Sequence, residues 1–253
     1  MQENRNERIE VPAVEQSDAL LQVDIRRAGY GEKKEAIRNI RFSLRPGEMM
    51  GLIGANGAGK STTIKAILGL LPELDGAVRI GGKGRRLAYV PEQPIYYEEL
   101  TLWEHLELAA AAHGLPQDAF RERAVSLLHR FRMDHVRDHL PESFSKGMQQ
   151  KMMLALAFLL EPEVLIVDEP FVGLDPRATL DLLNQLQEAR RRGAGVLMST
   201  HVLDTAEKIC DTFTLIDDGC VVACGTLAQL REQSRLGGGS LFDCFHALLE
   251  NEP

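Results

Sequence analysis

The sequence predicts an α/β fold, a parallel sheet with helices on both sides and an inserted helical lobe, and three observations carry that expectation. The runs "EVLIVDEP" (163–170) and "GVLMSTH" (195–201) are short, nearly continuous and apolar, closed by polar residues. Strands buried on both faces of a parallel sheet read this way. Helix-length segments such as "PRATLDLLNQLQEARRRG" (176–193) lie between such runs, as parallel pairing requires. From about Trp103 to Arg137 helix formers recur, with apolar residues at helical spacing, which reads as a separate lobe.

In chain order, the first eighteen residues are polar, contain Pro12 and show no period, so a tail is expected there. "ALLQVDI" (19–25) and "IRNIRFSL" (37–44) have strand character, and "RPGE" (45–48) is a turn before the apolar run "MMGLIG". From Ser61 the pattern turns helical through "STTIKAILGLL" and stops at Pro72; "RLAYVPE" (86–92) is another short strand. After Gly225 come a helical "TLAQLREQS", a "GGG" hinge at Gly237–Gly239 and an amphipathic stretch, Leu241 to Leu249, that either packs back or binds a partner. The expected division is a tail at 1–18, a main domain at 19–228 whose helical subdomain covers about 94–160, and a helical extension at 229–253.

Composition narrows the function. With 253 residues and 44% hydrophobic content the chain fills a sizeable core. A net charge of −8 argues against a nucleic-acid partner, since backbone phosphates need a basic face. The four cysteines (Cys210, Cys220, Cys224, Cys244) form no CxxC pair and no metal-ligand spacing, which points to free thiols in a reducing, cytosolic compartment. No apolar stretch has membrane-spanning length, the N-terminus lacks a signal-peptide core, and no internal repeat is found. His113, His129, His135, His139 and His246 form no ligand-spaced cluster, and the Arg190–Arg192 run suits a helix C-terminus.

"GANGAGKST" fits GxxxxGK[ST] and sits between an apolar strand and a helix, where the phosphate-binding mechanism requires it. Its residues Gly54, Ala55, Asn56, Gly57, Ala58, Gly59, Lys60, Ser61 and Thr62 are the candidate phosphate cradle. The glycines admit close backbone approach, the amide N–H groups favour negative charge, Lys60 reaches the β- and γ-phosphates, and Ser61 ligates Mg²⁺. The fold is therefore expected to be a P-loop NTPase core. "VLIVDEP" places Asp168 and Glu169 at the carboxyl end of a buried strand, the edge where such sheets bind ligands. Asp168 is the candidate metal ligand and Glu169 the candidate base for attacking water.

Between these motifs lies "FSKGMQQ" and after them "GLDP" and "STH". In that order, from about Leu20 to Gly225, the set resembles the ATP-binding subunits of ABC transporters. "FSKGM", "PIYYEELTLWEHLEL" and "CGTLAQL" look most like the ATPase subunit of Ecs-type bacterial exporters. The resemblance implies antiparallel strands at the N-terminal side, ATP and Mg²⁺ as ligands, and ATP hydrolysis coupled to transport. It also implies a second ATPase subunit, identical or a close paralogue, and a polytopic membrane permease that holds the chain at the cytoplasmic face of the cell membrane. Residue by residue, Tyr30 matches the adenine-stacking aromatic, and Ser145, Gly147 and Gln149 match the signature loop, with Lys146 replacing its usual first glycine. Glu92 takes the place of the lid-loop glutamine, with Gln93 following, and its carboxylate is a further candidate Mg²⁺ ligand. Asp175 matches the loop joining the dimer halves, and His201 the histidine that contacts the γ-phosphate. Tyr96, Tyr97, Glu98 and Glu99 lie where this family's helical lobe receives a cytoplasmic helix of the permease. A soluble ABC ATPase of DNA repair or translation is the competing expectation; such chains usually carry a long coiled-coil insertion or tandem cassettes, neither of which is seen.

Overall fold

The computed structural model describes residues 18–31 and 33–250, so residues 1–17 of the expected tail lie outside the described residues. In chain order the described elements are β1 (Leu21–Tyr30), β2 (Lys33–Leu44), β3 (Met49–Ile53), α1 (Lys60–Ile67), β4 (Glu73–Ile80), β5 (Leu87–Val90), α2 (Leu102–Ala112), α3 (Gln117–Phe131), α4 (Lys146–Leu159), β6 (Val164–Asp168), α5 (Pro176–Arg191), β7 (Gly195–Thr200), α6 (Leu203–Ile209), β8 (Thr212–Asp217), β9 (Cys220–Gly225), α7 (Leu227–Gln233) and α8 (Leu241–Glu250). Nine strands among the described residues form one mixed sheet in the order β4-β1-β2-β9-β8-β3-β7-β6-β5. The centre from β8 to β5 is parallel, while β1 pairs antiparallel with both β2 and β4. The expected parallel core, antiparallel N-terminal strands and helical insertion are all present.

Every residue of β3, β6 and β7 is buried, and the pleat sends alternate side chains to two cores. Met49, Leu165, Val167, Val196 and Met198 meet the lobe built from α2, α3 and α4. Met50, Leu52, Val164, Ile166 and Leu197 meet β1, β2 and α1. Each such side chain contributes about 1.5–3 kcal/mol by leaving water. The shared strands therefore tie the lobe and the antiparallel flank to one rigid edge, and the candidate site lies on that edge.

Two local differences from the sequence reading have clear causes. The first helix ends at Ile67 rather than running to Pro72, because Gly69 takes φ 70° and the Leu70 N–H bonds back to Lys65 O at 2.9 Å, a left-handed helix stop. Beyond it "ELDGAVRI" is the edge strand β4, although Asp75 and Gly76 are poor strand formers; pairing with β1 from Gly29↔Glu73 to Leu21↔Ile80 overrides their propensity. At the C-terminus α8 packs back, burying Leu241, Cys244 and Phe245 in a third core with α6, α7 and the β8–β9 pair. Among the described residues no helix is long and apolar enough to cross a membrane.

Candidate active site

The chain leaves β3 at Ile53, wraps through residues 54–59 and enters α1 at Lys60. Gly59, the N-cap, has φ 110°, a conformation that strains any residue with a side chain. No acidic residue occupies the first turn of α1, so no carboxylate opposes its free N–H groups and dipole, an arrangement that suits an anion. Lys60 is buried, and its Nζ donates to Gly54 O at 2.7 Å and Ala55 O at 3.2 Å. Its third neighbour is Glu169 Oε1 at 3.7 Å. An ammonium taken out of water needs such partners.

Across the edge, β6 ends at Asp168, and the next residue, Glu169, sits with φ 46°. A left-handed backbone at a non-glycine costs on the order of 1–2 kcal/mol. Its N–H compensates by donating to both Ser199 O (3.2 Å) and Ser199 Oγ (3.1 Å). Ser199 lies opposite Asp168 in the β6–β7 register, and its hydroxyl donates to the Asp168 carboxylate. One hydroxyl thus aims both acids. The His201 Nδ1–H donates to Glu169 Oε1 at 2.8 Å. Glu169 is accordingly buried between an ammonium and an imidazole, with its carboxylate at the mouth of the phosphate loop.

Sequence reading misses two residues. Ser199 is visible only as a polar residue at the carboxyl end of a buried run. Tyr89 is the other: burial, then the charges of Asp168 and Glu92, then its hydrogen bond to Asp168 push its hydroxyl up to about 12. It stays protonated at neutral pH beside Asp168.

A cleft of about 340 Å³ is lined by Ala55, Asn56, Gly57, Gly59, Lys60, Ser61, Thr62, Glu92, Glu169 and His201. Gln93 is exposed and outside that lining. Tyr30 closes β1 beyond the cleft, 39% exposed, with the Lys65 ammonium 5.8 Å from its ring centre. Ser145, Lys146, Gly147 and Gln149 do not line the cleft; they begin α4, where Ser145 Oγ accepts from Met148 N at 3.3 Å as the N-cap. A Cβ on Gly147 would come 2.9 Å from Gly173 O, so this turn rests directly on the loop after Glu169. Asp175 caps α5, and the N–H groups of Ala178 and Arg177 hold its carboxyl below the usual range. Among the described residues no three His, Cys, Asp or Glu side chains gather as a metal cluster. A divalent cation here therefore needs oxygens from its own phosphate ligand beside Ser61 and Asp168, which suits Mg²⁺.

A phosphate-sized cleft under a Lys–Glu–His constellation on a parallel sheet edge narrows the chemistry, and comparison with known proteins decides the family. The family model described as ABC transporter matches residues 37–172. The chain is 50% identical over 233 residues to the ABC transporter ATP-binding protein YthP of Bacillus subtilis, covering 92% of this chain and 98% of that protein. The chain belongs to the ABC transporter family. The ABC-type transporter ATP-binding protein EcsA of Bacillus subtilis is 46% identical over 243 residues, covering 92% of this chain and 98% of its own length. A solved ATP-binding subunit of an ABC transporter superposes with TM-score 0.87 at 46% identity, covering 91% of this chain and 99% of that one. This ABC transporter subunit binds ATP and is an ATPase of the kind that powers transport.

Proposed function

We propose that the chain dimerises, with itself or a close paralogue, around two Mg-ATP and drives a separate polytopic permease, as an exporter, from the cytoplasmic face of the cell membrane. One observation carries the dimer. The cleft holds Lys60, Glu169 and His201, while Ser145, Lys146, Gly147 and Gln149 line none of it, so a complete site takes its signature turn from a second chain. The direction of transport rests on the resemblance to Ecs-type exporters. Ile95 (75% exposed) and Tyr97 (61%), beside Glu98 and Glu99, give the helical segment of about residues 94–160 an apolar surface for the permease.

In this reading Lys60 and the N–H groups of residues 54–62 hold the β- and γ-phosphates, and Tyr30 stacks on adenine. Ser61, Asp168 and Glu92 hold Mg²⁺, which when bound neutralises charge developing on the phosphate oxygens. Glu169 takes a proton from water as its oxygen forms a bond to the γ-phosphorus and the bond to the ADP oxygen breaks. His201, anchored through Nδ1, fixes that carboxylate and leaves Nε2 for the γ-phosphate. Asp175, placed by its cap on α5, meets the facing subunit. The rate enhancement comes from positioning and charge complementarity.

Tagged chain recovered from detergent-solubilised membranes should bring down a polytopic membrane protein. Recovery with ribosomes or DNA and no membrane partner would replace this reading with that of an ABC ATPase uncoupled from transport.

A further inference from the structure

Gln149 is expected from sequence to touch nucleotide, yet its amide is engaged elsewhere. Nε2 donates to Tyr96 Oη at 3.0 Å and to Pro141 O at 3.0 Å, which uses both of its protons. Pro141 opens the short 3-10 turn Pro141–Ser143 that precedes Ser145, and Gln149 lies in the first turn of α4 just after it. The amide therefore closes a hoop around Ser145, Lys146 and Gly147. Its other tie reaches a different segment. Tyr96 belongs to the stretch that starts at Glu92, in the cleft wall, and ends at Thr101, the cap of α2.

That stretch is pinned from inside. The Tyr97 N–H donates to His105 Nε2 at 3.0 Å, and His105 Nδ1–H donates to Thr101 O at 2.8 Å, a pattern only the neutral Nδ1–H tautomer makes. Tyr96 packs half-buried against the lobe core, while its neighbours Ile95 and Tyr97 face outward. Glu92, the exposed pair and the signature turn are thus joined by some ten residues of chain and one side-chain hydrogen bond.

We infer that Gln149 is a positioning residue: with Tyr96 and Pro141 O it forms a clasp that fixes the signature turn relative to the Glu92 segment. The inference rests on the proposed role of the Ser145–Gly147 turn at a nucleotide. A clasp acts in the closed dimer and leaves the binding of ATP by one chain untouched.

The test is a double-mutant cycle on the purified full-length chain, with Tyr96→Phe, Gln149→Leu and both together. Each single variant should lower kcat for Mg-ATP by about 3- to 10-fold, the rate equivalent of one hydrogen bond, at unchanged KM and unchanged affinity for a fluorescent ATP analogue. The double variant should fall no further than the worse single one. Hydrogen exchange should quicken in Tyr96→Phe across both 145–151 and 92–99. A silent Tyr96→Phe with unchanged exchange, or losses that multiply, would overturn the clasp in favour of Gln149 acting alone on nucleotide. A wild-type chain that hydrolyses no ATP would sink the proposed function instead, and the exchange data would then decide the clasp.

Discussion

Glu169 does two things at the scale of one residue: it holds a strained left-handed backbone, and it places a carboxylate between Lys60 and His201. Glu169→Gln keeps the size and an oxygen for the His201 Nδ1–H, and removes the basicity. Hydrolysis should fall by roughly 10²- to 10⁴-fold, the scale of a lost general base, while ATP affinity is retained. A near-normal rate in the purified variant would take Glu169 out of that role. Much of the site is legible in the sequence because phosphate chemistry fixes residue types at fixed spacing: Ala55, Asn56, Gly57 and Gly59 to Thr62 line a cleft because a GxxxxGK[ST] turn has few other uses. Ser199 and Tyr89 escape such reading because their partners are contributed by neighbouring strands. A strand register, not a spacing, brings Ser199 to Asp168.

The elements are held by local devices that sequence reading catches unevenly. Apolar runs reveal β3, β6 and β7, since burial on both faces leaves no room for polar residues. The edge strand β4 has no such signature, because its outer face and free edge meet water and its place depends on β1. The β8–β9 hairpin does carry a readable signal, Asp218-Gly219, whose φ values of 38° and 74° are those a tight two-residue turn demands. Start signals also decide α2. Thr101 and Glu104 form a reciprocal capping box, and the Thr101 N–H, followed by its hydroxyl, holds the Glu104 carboxyl below its ordinary value. Thr101→Ala should cost about 1 kcal/mol and lower Tm by roughly 2–4 °C. The part of this stabilisation that comes from the Thr101 hydroxyl donating to the Glu104 carboxylate is complete above the carboxylate range, because the folded-state value is depressed, and is lost as pH falls through it, while the bond from the Glu104 N–H to the Thr101 hydroxyl does not titrate. The gap in Tm between wild type and variant should therefore narrow in acid, below about pH 4.5. A gap that stays constant or widens there would show that the carboxylate's bond to the Thr101 hydroxyl takes no part in the cap.

For the whole molecule, one sheet edge carries the cleft, and α4, which carries the signature turn, packs into the lobe on one face of the same strands. In the proposed dimer a single chain then presents half of each of two sites rather than one complete site. That geometry makes an asymmetric demand on mixed dimers. Lys60→Ala removes the phosphate lysine and Ser145→Ala the signature hydroxyl, so each should disable both sites of a dimer of identical subunits. In a dimer of one with the other, one site inherits both lesions. The other joins an intact phosphate loop from the Ser145 variant to an intact signature turn from the Lys60 variant. The decisive measurement is single-turnover nucleotide trapping by the mixed variants, with hetero-dimers verified by two distinct tags. The account requires trapping, or one round of hydrolysis, in the mixture where neither variant alone shows it. Trapping no greater than that of the separate variants would contradict the shared site.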